Sequence, residues 1–199
     1  VPNHIVVGKG VLNEAAPLLK EMGRKAFIVT GRHIAVSDMM KKLTALLDEE
    51  GIGYVIFNGI TGEPDDVMIN NGVKMLKESD CDFIIGIGGG SPLDSAKAIA
   101  AMAVNDGSIA DFSGKEITGE ILPLAAIPTT AGTGSEATKF TVITDSKKQI
   151  KMLLKGDVLV PKLAIVDSEF TVDAPKSVTA ATGPVSYTHL RAHETLMNL

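Results

Sequence analysis

The chain has 199 residues, of which 45% are hydrophobic and 22% charged, with a net charge of −5 at pH 7. These values are ordinary for a globular domain, and the scattered lysines and arginines of an acidic chain argue against a nucleic-acid partner. No apolar run approaches the length that spans a membrane, the first four residues lack the pattern of a signal peptide, and the single Cys81 favours a reducing, cytoplasmic location.

Hydrophobic periodicity predicts alternating strands and helices along the first half of the chain. Short apolar runs predict strands at residues 5–7, 26–30, 54–57 and 83–87. Apolar residues three or four positions apart predict a helix after each of these strands. Repeated strand and helix units of this kind are typical of an α/β fold with a doubly wound, Rossmann-like parallel sheet and helices on both faces.

A run of three glycines, residues 88–90, follows the fourth predicted strand. Ser91 and Pro92 come next, and they are predicted to be the N-cap and first turn of a helix that runs through Ala103. Backbone N–H groups at a helix start, beside residues without side chains, can seat a phosphate. The alternative is a turn that only packs the helix closely on its strand, since the run matches G-x-G-x-x-G loosely.

A second loop rich in hydroxyls and glycine covers residues 128–138, after a strand predicted at 124–127. Such hydroxyls can donate to phosphate and ribose oxygens, although an ordinary threonine-rich turn has the same composition. Further strands are predicted at residues 140–144 and 163–167, with a turn at 145–148. Because doubly wound sheets bind ligands beyond the carboxyl ends of their strands, the two loops together predict a nucleotide site.

These motifs resemble those of the iron-containing (group III) alcohol dehydrogenases. The resemblance covers residues 1–183 and rests on residues 88–97, 127–138, 163–167 and 179–183, in the family's order and spacing. It implies that residues 1–183 are the dinucleotide-binding domain of a longer NAD(P)-dependent enzyme acting on a small alcohol or aldehyde. That parent enzyme would also have a helical domain holding Fe²⁺ or another divalent metal, and would commonly be a homodimer.

The resemblance also implies which residues contact the dinucleotide. They are Gly89, Gly90 and Ser91 at the pyrophosphate, Thr129, Thr130 and Thr133 along the ribose and nicotinamide, and Lys151 at a ribose hydroxyl. Asp94 corresponds to the family's acidic residue in the glycine turn and would order that loop. A charge in the first turn of the helix is the alternative role for Asp94.

The end of the second predicted strand bears on the choice between NAD and NADP. NAD-preferring members of the family often carry an acid there, which accepts from the ribose 2′-hydroxyl and repels a 2′-phosphate. In this chain the position is Gly31, followed by Arg32 and His33. The missing carboxylate, and an arginine able to pair with phosphate, favour NADP. Alternatively, Arg32 is a solvated surface charge.

Residues 184–199 depart from the family and are predicted to be a disordered or artefactual tail that resembles sequencing-adaptor read-through. Val185 stands where the family has a carboxylate metal ligand, and valine cannot bind a cation. His189 and His193, followed by Glu194, have a spacing used by metal sites but lack a third ligand. The chain as given is therefore predicted to hold no metal and to turn over no alcohol, while keeping a dinucleotide site.

Two other functions fit part of the pattern. One is a related polyol-phosphate dehydrogenase or synthase of the same superfamily, against which the loop at residues 128–138 argues. The other is a non-catalytic nucleotide-binding module, which predicts a tail that packs on the domain.

Overall fold

The computed structural model describes residues 1–172. Its strands are β1 (His4–Gly8), β2 (Lys25–Gly31), β3 (Gly53–Ile60), β4 (Phe83–Gly88), β5 (Leu124–Pro128), β6 (Phe140–Asp145), β7 (Ile150–Lys155) and β8 (Leu163–Asp167). Its α-helices are α1 (Ala16–Met22), α2 (Arg32–Ala35), α3 (Asp38–Glu49), α4 (Asp66–Lys77), α5 (Gly90–Met102) and α6 (Glu169–Val172). The predicted tail at 184–199, with Val185, His189, His193 and Glu194, lies outside the described residues.

Six of these strands form one parallel sheet in the order β1-β8-β5-β4-β2-β3. This confirms the predicted α/β fold, a doubly wound, Rossmann-like sheet. From β2 the chain runs outward to β3 and then crosses to β4 on the other side of β2. The reversal opens a crevice at the carboxyl ends of β2 and β4, which is where such sheets bind ligands.

Alternate side chains of β2 show how both faces of the sheet are covered. Ile28 belongs to the core cluster that holds Leu43 and Leu47 of α3. Phe27 and Val29 point the other way, into the cluster formed with α4 and α5. Since both faces are buried, the central strands are almost continuously apolar, as the sequence indicates. None of the helices within residues 1–172 is long and apolar enough to cross a lipid bilayer.

Helix α5 begins before the predicted N-cap. Gly89, with extended backbone, is the N-cap, so Ser91 lies inside the first turn. The helix can begin this early because the backbone of Gly88 has a φ of 145°, a conformation that favours glycine. A Cβ on Gly88 would also lie 2.7 Å from Cγ of Pro92. The chain therefore turns sharply at Gly88 and enters the helix at Gly90.

Strands β6 and β7 form an antiparallel hairpin outside the main sheet. The sequence predicts β6 and the turn that follows it, and the turn is stabilised by Asp145, whose Oδ1 accepts from the backbone amides of residues 147 and 148. Sequence analysis misses β7. The exposed, apolar Leu153 interrupts the alternation by which a half-buried strand is normally recognised.

Candidate functional site

Two cavities lie on either side of the turn between β4 and α5. The larger has a volume of about 490 Å³ and is lined by Gly90, Ser91, Asp94 and Thr133, among others. The smaller, of about 440 Å³, is lined by residues that include Gly31, Arg32, Gly88 and Gly89. The glycine turn therefore forms part of the wall of both cavities.

Two threonine side chains pack closely against the glycine turn. A Cβ on Gly89 would lie 3.2 Å from Oγ1 of Thr130, and one on Gly90 would lie 3.0 Å from Cγ2 of Thr133. The first N–H groups of α5, on Gly90 and Ser91, have no carbonyl partner within the helix. Backbone donors and the positive end of a helix dipole therefore lie at the glycine turn, an arrangement that favours an anion.

The three threonines predicted for the site differ in position. Thr133 lines the larger cavity, and Thr130 faces Gly89 across the turn. Thr129 is buried, and its backbone N–H donates to the carbonyl oxygen of Gly88 at 2.9 Å. Thr129 therefore braces the glycine turn from behind instead of lining either cavity.

Asp94 lies beyond the first turn of α5, which rules out the alternative of a first-turn helix charge. Its Oδ2 accepts from the backbone N–H of Val142 at 3.0 Å, and its carbonyl oxygen accepts from Oγ1 of Thr141 at 2.8 Å. Asp94 thus ties the β6–β7 hairpin to α5. Its Oδ1 is buried without a hydrogen-bond partner, although the residue lines the larger cavity. This oxygen has almost no exposed surface, so Asp94 supports the cavity wall through its contacts with the hairpin.

Burial raises the pKa of Asp94, and this effect is opposed by the hydrogen bonds from Val142 and Ser135 and by the charge of Lys97. Raising the pKa of a carboxyl group means that its environment disfavours the charged form.

Lys97 is a site residue that the sequence analysis does not single out. Its side chain is fully buried, and Nζ donates to the carbonyl oxygens of Thr138 at 2.7 Å and Phe140 at 2.9 Å and to the Thr138 hydroxyl at 3.1 Å. Burial lowers the pKa of Lys97 to about 8, opposed by the carboxylates of Asp94 and Glu136. Lys97 could have been identified from the sequence, because it lies three residues after Asp94 on a helix otherwise rich in alanine.

Lys151 lies on β7 and forms an ion pair with a residue that lines the larger cavity. Its Nζ is 2.5 Å from Oε1 of Glu63, a residue that lines the cavity. The sequence analysis does not identify Glu63. The contact between Lys151 and a ribose hydroxyl stays a prediction.

Gly31, the last residue of β2, lines the smaller cavity together with Arg32 and His33. A Cβ at this position would lie 3.2 Å from the carbonyl oxygen of Ile60, a contact that a small shift can relieve. Gly31, which the sequence analysis relates to the choice between NAD and NADP, therefore lies at the smaller cavity and offers no carboxylate there.

Residues 1–172 contain no group of three or more histidine, cysteine, aspartate or glutamate residues that could hold a metal ion. The described part of the chain therefore offers no ligand set that fits the iron of the family whose motifs it resembles.

The chain matches the family model for iron-containing alcohol dehydrogenase over residues 2–168. It is 38% identical to the NAD-dependent methanol dehydrogenase of Bacillus methanolicus, covering 95% of this chain and 50% of that protein. It is 40% identical to alcohol dehydrogenase 4 of Schizosaccharomyces pombe, covering 95% of this chain and 45% of that one. The chain thus spans about half the length of the curated relatives it matches.

Solved structures resemble the model over the same part of their chains. The crystal structure of a 1,3-propanediol oxidoreductase matches with a TM-score of 0.91 and 31% identity, covering 95% of this chain and 50% of that one. Sulfoacetaldehyde reductase from Bifidobacterium kashiwanohense, solved in complex with NAD⁺, matches with a TM-score of 0.86 and 34% identity over 92% of this chain and 49% of that one.

Proposed function

Because the chain belongs to the iron-containing alcohol dehydrogenase family, we propose that it binds NAD(P) across the glycine turn, as the cofactor-binding part of an alcohol dehydrogenase. One observation carries this proposal: two cavities lie against the same glycine turn, and Gly90 and Ser91, whose N–H groups have no carbonyl partner within the helix, line the larger one. A dinucleotide has this form, with two large groups joined by a pyrophosphate.

In this arrangement the adenosine lies in the smaller cavity beside Gly31, and the nicotinamide lies in the larger one beside Thr133. The pyrophosphate lies against Gly89, Gly90 and Ser91, where the helix dipole favours negative charge. Lys151 serves the ribose on the nicotinamide side.

In the longer parent enzyme the bound nicotinamide exchanges hydride with a small alcohol or aldehyde. We propose that Fe²⁺ or another divalent metal is bound by that parent, since residues 1–172 hold no ligand set for it. We propose that the chain as given binds dinucleotide without turning over alcohol. We further propose that the parent is cytoplasmic and forms a homodimer.

The proposal is tested by titrating the purified chain with NADH and NADPH and following the fluorescence of the reduced nicotinamide. Saturable binding of at least one dinucleotide is expected, with no alcohol oxidation whether or not Fe²⁺ is added. A folded chain that binds neither dinucleotide would refute the binding function. Turnover of alcohol would refute the predicted inactivity.

Within this proposal the cofactor is NADP in preference to NAD, because Gly31 offers no carboxylate and Arg32 lines the same cavity. Replacing Gly31 with aspartate is expected to lower the affinity for NADPH relative to NADH by about tenfold or more, through repulsion between the carboxylate and the 2′-phosphate. The measurement is the ratio of the two dissociation constants. The matched control is Gly53→Asp, at the start of β3, where a Cβ meets only the side chain of Lys25. An unchanged ratio in Gly31→Asp would show that this position does not discriminate between the cofactors.

A further inference from the structure

Glu63 lies between β3 and α4, at the wall of the larger cavity. Its Oε1 is 2.5 Å from Nζ of Lys151, and the two side chains remain 53% and 66% exposed. An ion pair this exposed adds little stability, because water and salt screen it and because two long side chains lose freedom in forming it. Its position at the cavity indicates a different use.

The backbone on both sides of this ion pair is held in place. The carbonyl oxygen of Pro64 accepts from the N–H of Thr144 at 2.8 Å, and Thr144 is paired directly with Lys151 across the hairpin. Two residues further along each segment, Oδ1 of Asp66 accepts from the N–H of Ser146 at 2.8 Å. The segment before α4 and the tip of the hairpin are thus fastened together, so Glu63 and Lys151 meet without ordering any further backbone.

This fastening also fixes where α4 begins. Asp65 is the N-cap of α4, and its Oδ1 accepts from the N–H of Met68 at 2.8 Å, while Asp66 lies in the first turn. Proline at position 64 restricts the backbone of the residue before it, which is Glu63. The carboxylate therefore projects from a short, constrained segment towards the cavity.

We propose that Glu63 is a positioning residue that holds the ammonium group of Lys151 at the mouth of the larger cavity for the ribose on the nicotinamide side. This role rests on the proposed dinucleotide binding. An ammonium group has three N–H donors, and a carboxylate that takes one of them leaves others for ribose hydroxyls. Without Glu63 the four-carbon stem of the lysine samples solvent, and binding must then order it.

The test compares the affinities of the full chain for NADH and for ADP, which has the adenosine and the two phosphates but no second ribose. Glu63→Gln is expected to weaken NADH binding about three- to tenfold, of the order of 1 kcal/mol, and to leave ADP binding unchanged. Glu63→Asp, which keeps the carboxylate, is expected to recover part of the loss. In the double variant with Lys151→Met, the loss is expected to be no larger than in Lys151→Met alone.

The matched control is Glu50→Gln, which removes the carboxylate of an exposed ion pair with Lys20 remote from both cavities. It is expected to leave both affinities unchanged. Unchanged or tighter NADH binding in Glu63→Gln, equal losses for NADH and ADP, or additive losses in the double variant would each overturn the role of Glu63. A folded wild-type chain that binds neither NADH nor NADPH would overturn the proposed function itself and this role with it.

Discussion

Replacing Lys97 with methionine is expected to lower the free energy of unfolding by about 3 kcal/mol or more. Methionine fills a similar volume but cannot donate to the carbonyl oxygens of Thr138 and Phe140, which Nζ now reaches at 2.7 and 2.9 Å. It also leaves the carboxylate of Asp94 without a nearby positive charge. The measurement is unfolding in urea, followed by circular dichroism at pH 7.

The pH dependence of this difference separates buried charge from lost packing. Burial lowers the pKa of Lys97 to about 8 from 10.5, so between these values the unfolded chain binds more protons than the folded one. The contribution of Lys97 to the free energy of unfolding therefore increases with pH across this window. Below about pH 8, the folded chain carries the full free-energy cost of burying the charged lysine. The gap between the wild type and Lys97→Met is expected to widen from pH 8 to pH 10.

The control for both measurements is Lys41→Met, because Lys41 is 74% exposed and bonded to the neighbouring Asp38. Its effect on the free energy of unfolding is expected to stay within about 0.5 kcal/mol. If Lys97→Met were as mild as this control, the buried lysine would not be what fastens the hairpin to α5.

The role of the buried Lys97 could not be predicted from the sequence, whereas the strands of the central sheet could. The strands of the central sheet are predictable because burial on both faces requires continuous apolar runs, as in the fully buried β4. The role of Lys97 is not predictable in this way, since a lysine in a helix usually reaches solvent. Its partners Thr138 and Phe140 lie 41 and 43 residues further along the chain, and only the tertiary fold brings them to it.

The same limit applies to the start of α5 and to the ion pair at the larger cavity. Ser91 is a good N-cap residue by its chemistry, but the sharp turn at Gly88 places Gly89 there instead. Glu63 and Lys151 become neighbours only because the hairpin is fastened to the segment before α4. Residue types could therefore identify the glycine turn as a candidate site, whereas the side chains that support it depend on contacts between distant segments.

Replacing Gly90 with valine is expected to weaken NADH binding by about 100-fold, which corresponds to about 2.7 kcal/mol. A Cβ at this position lies 3.0 Å from Cγ2 of Thr133. The two methyl groups of valine would therefore occupy space between the helix start and the loop that faces it, where the proposed pyrophosphate lies. Dissociation constants from nicotinamide fluorescence give the measurement, with thermal unfolding to confirm that the variant is folded.

Gly53→Val is the matched control, because it adds the same side chain at the start of β3, where a Cβ meets only the stem of Lys25, at 3.3 Å. Strands favour β-branched residues, so this variant is expected to fold and to bind NADH like the wild type. Equal binding by Gly90→Val and Gly53→Val would mean that the dinucleotide does not pass over the start of α5. Loss confined to Gly90→Val would tie the affinity to backbone donors that no side chain covers.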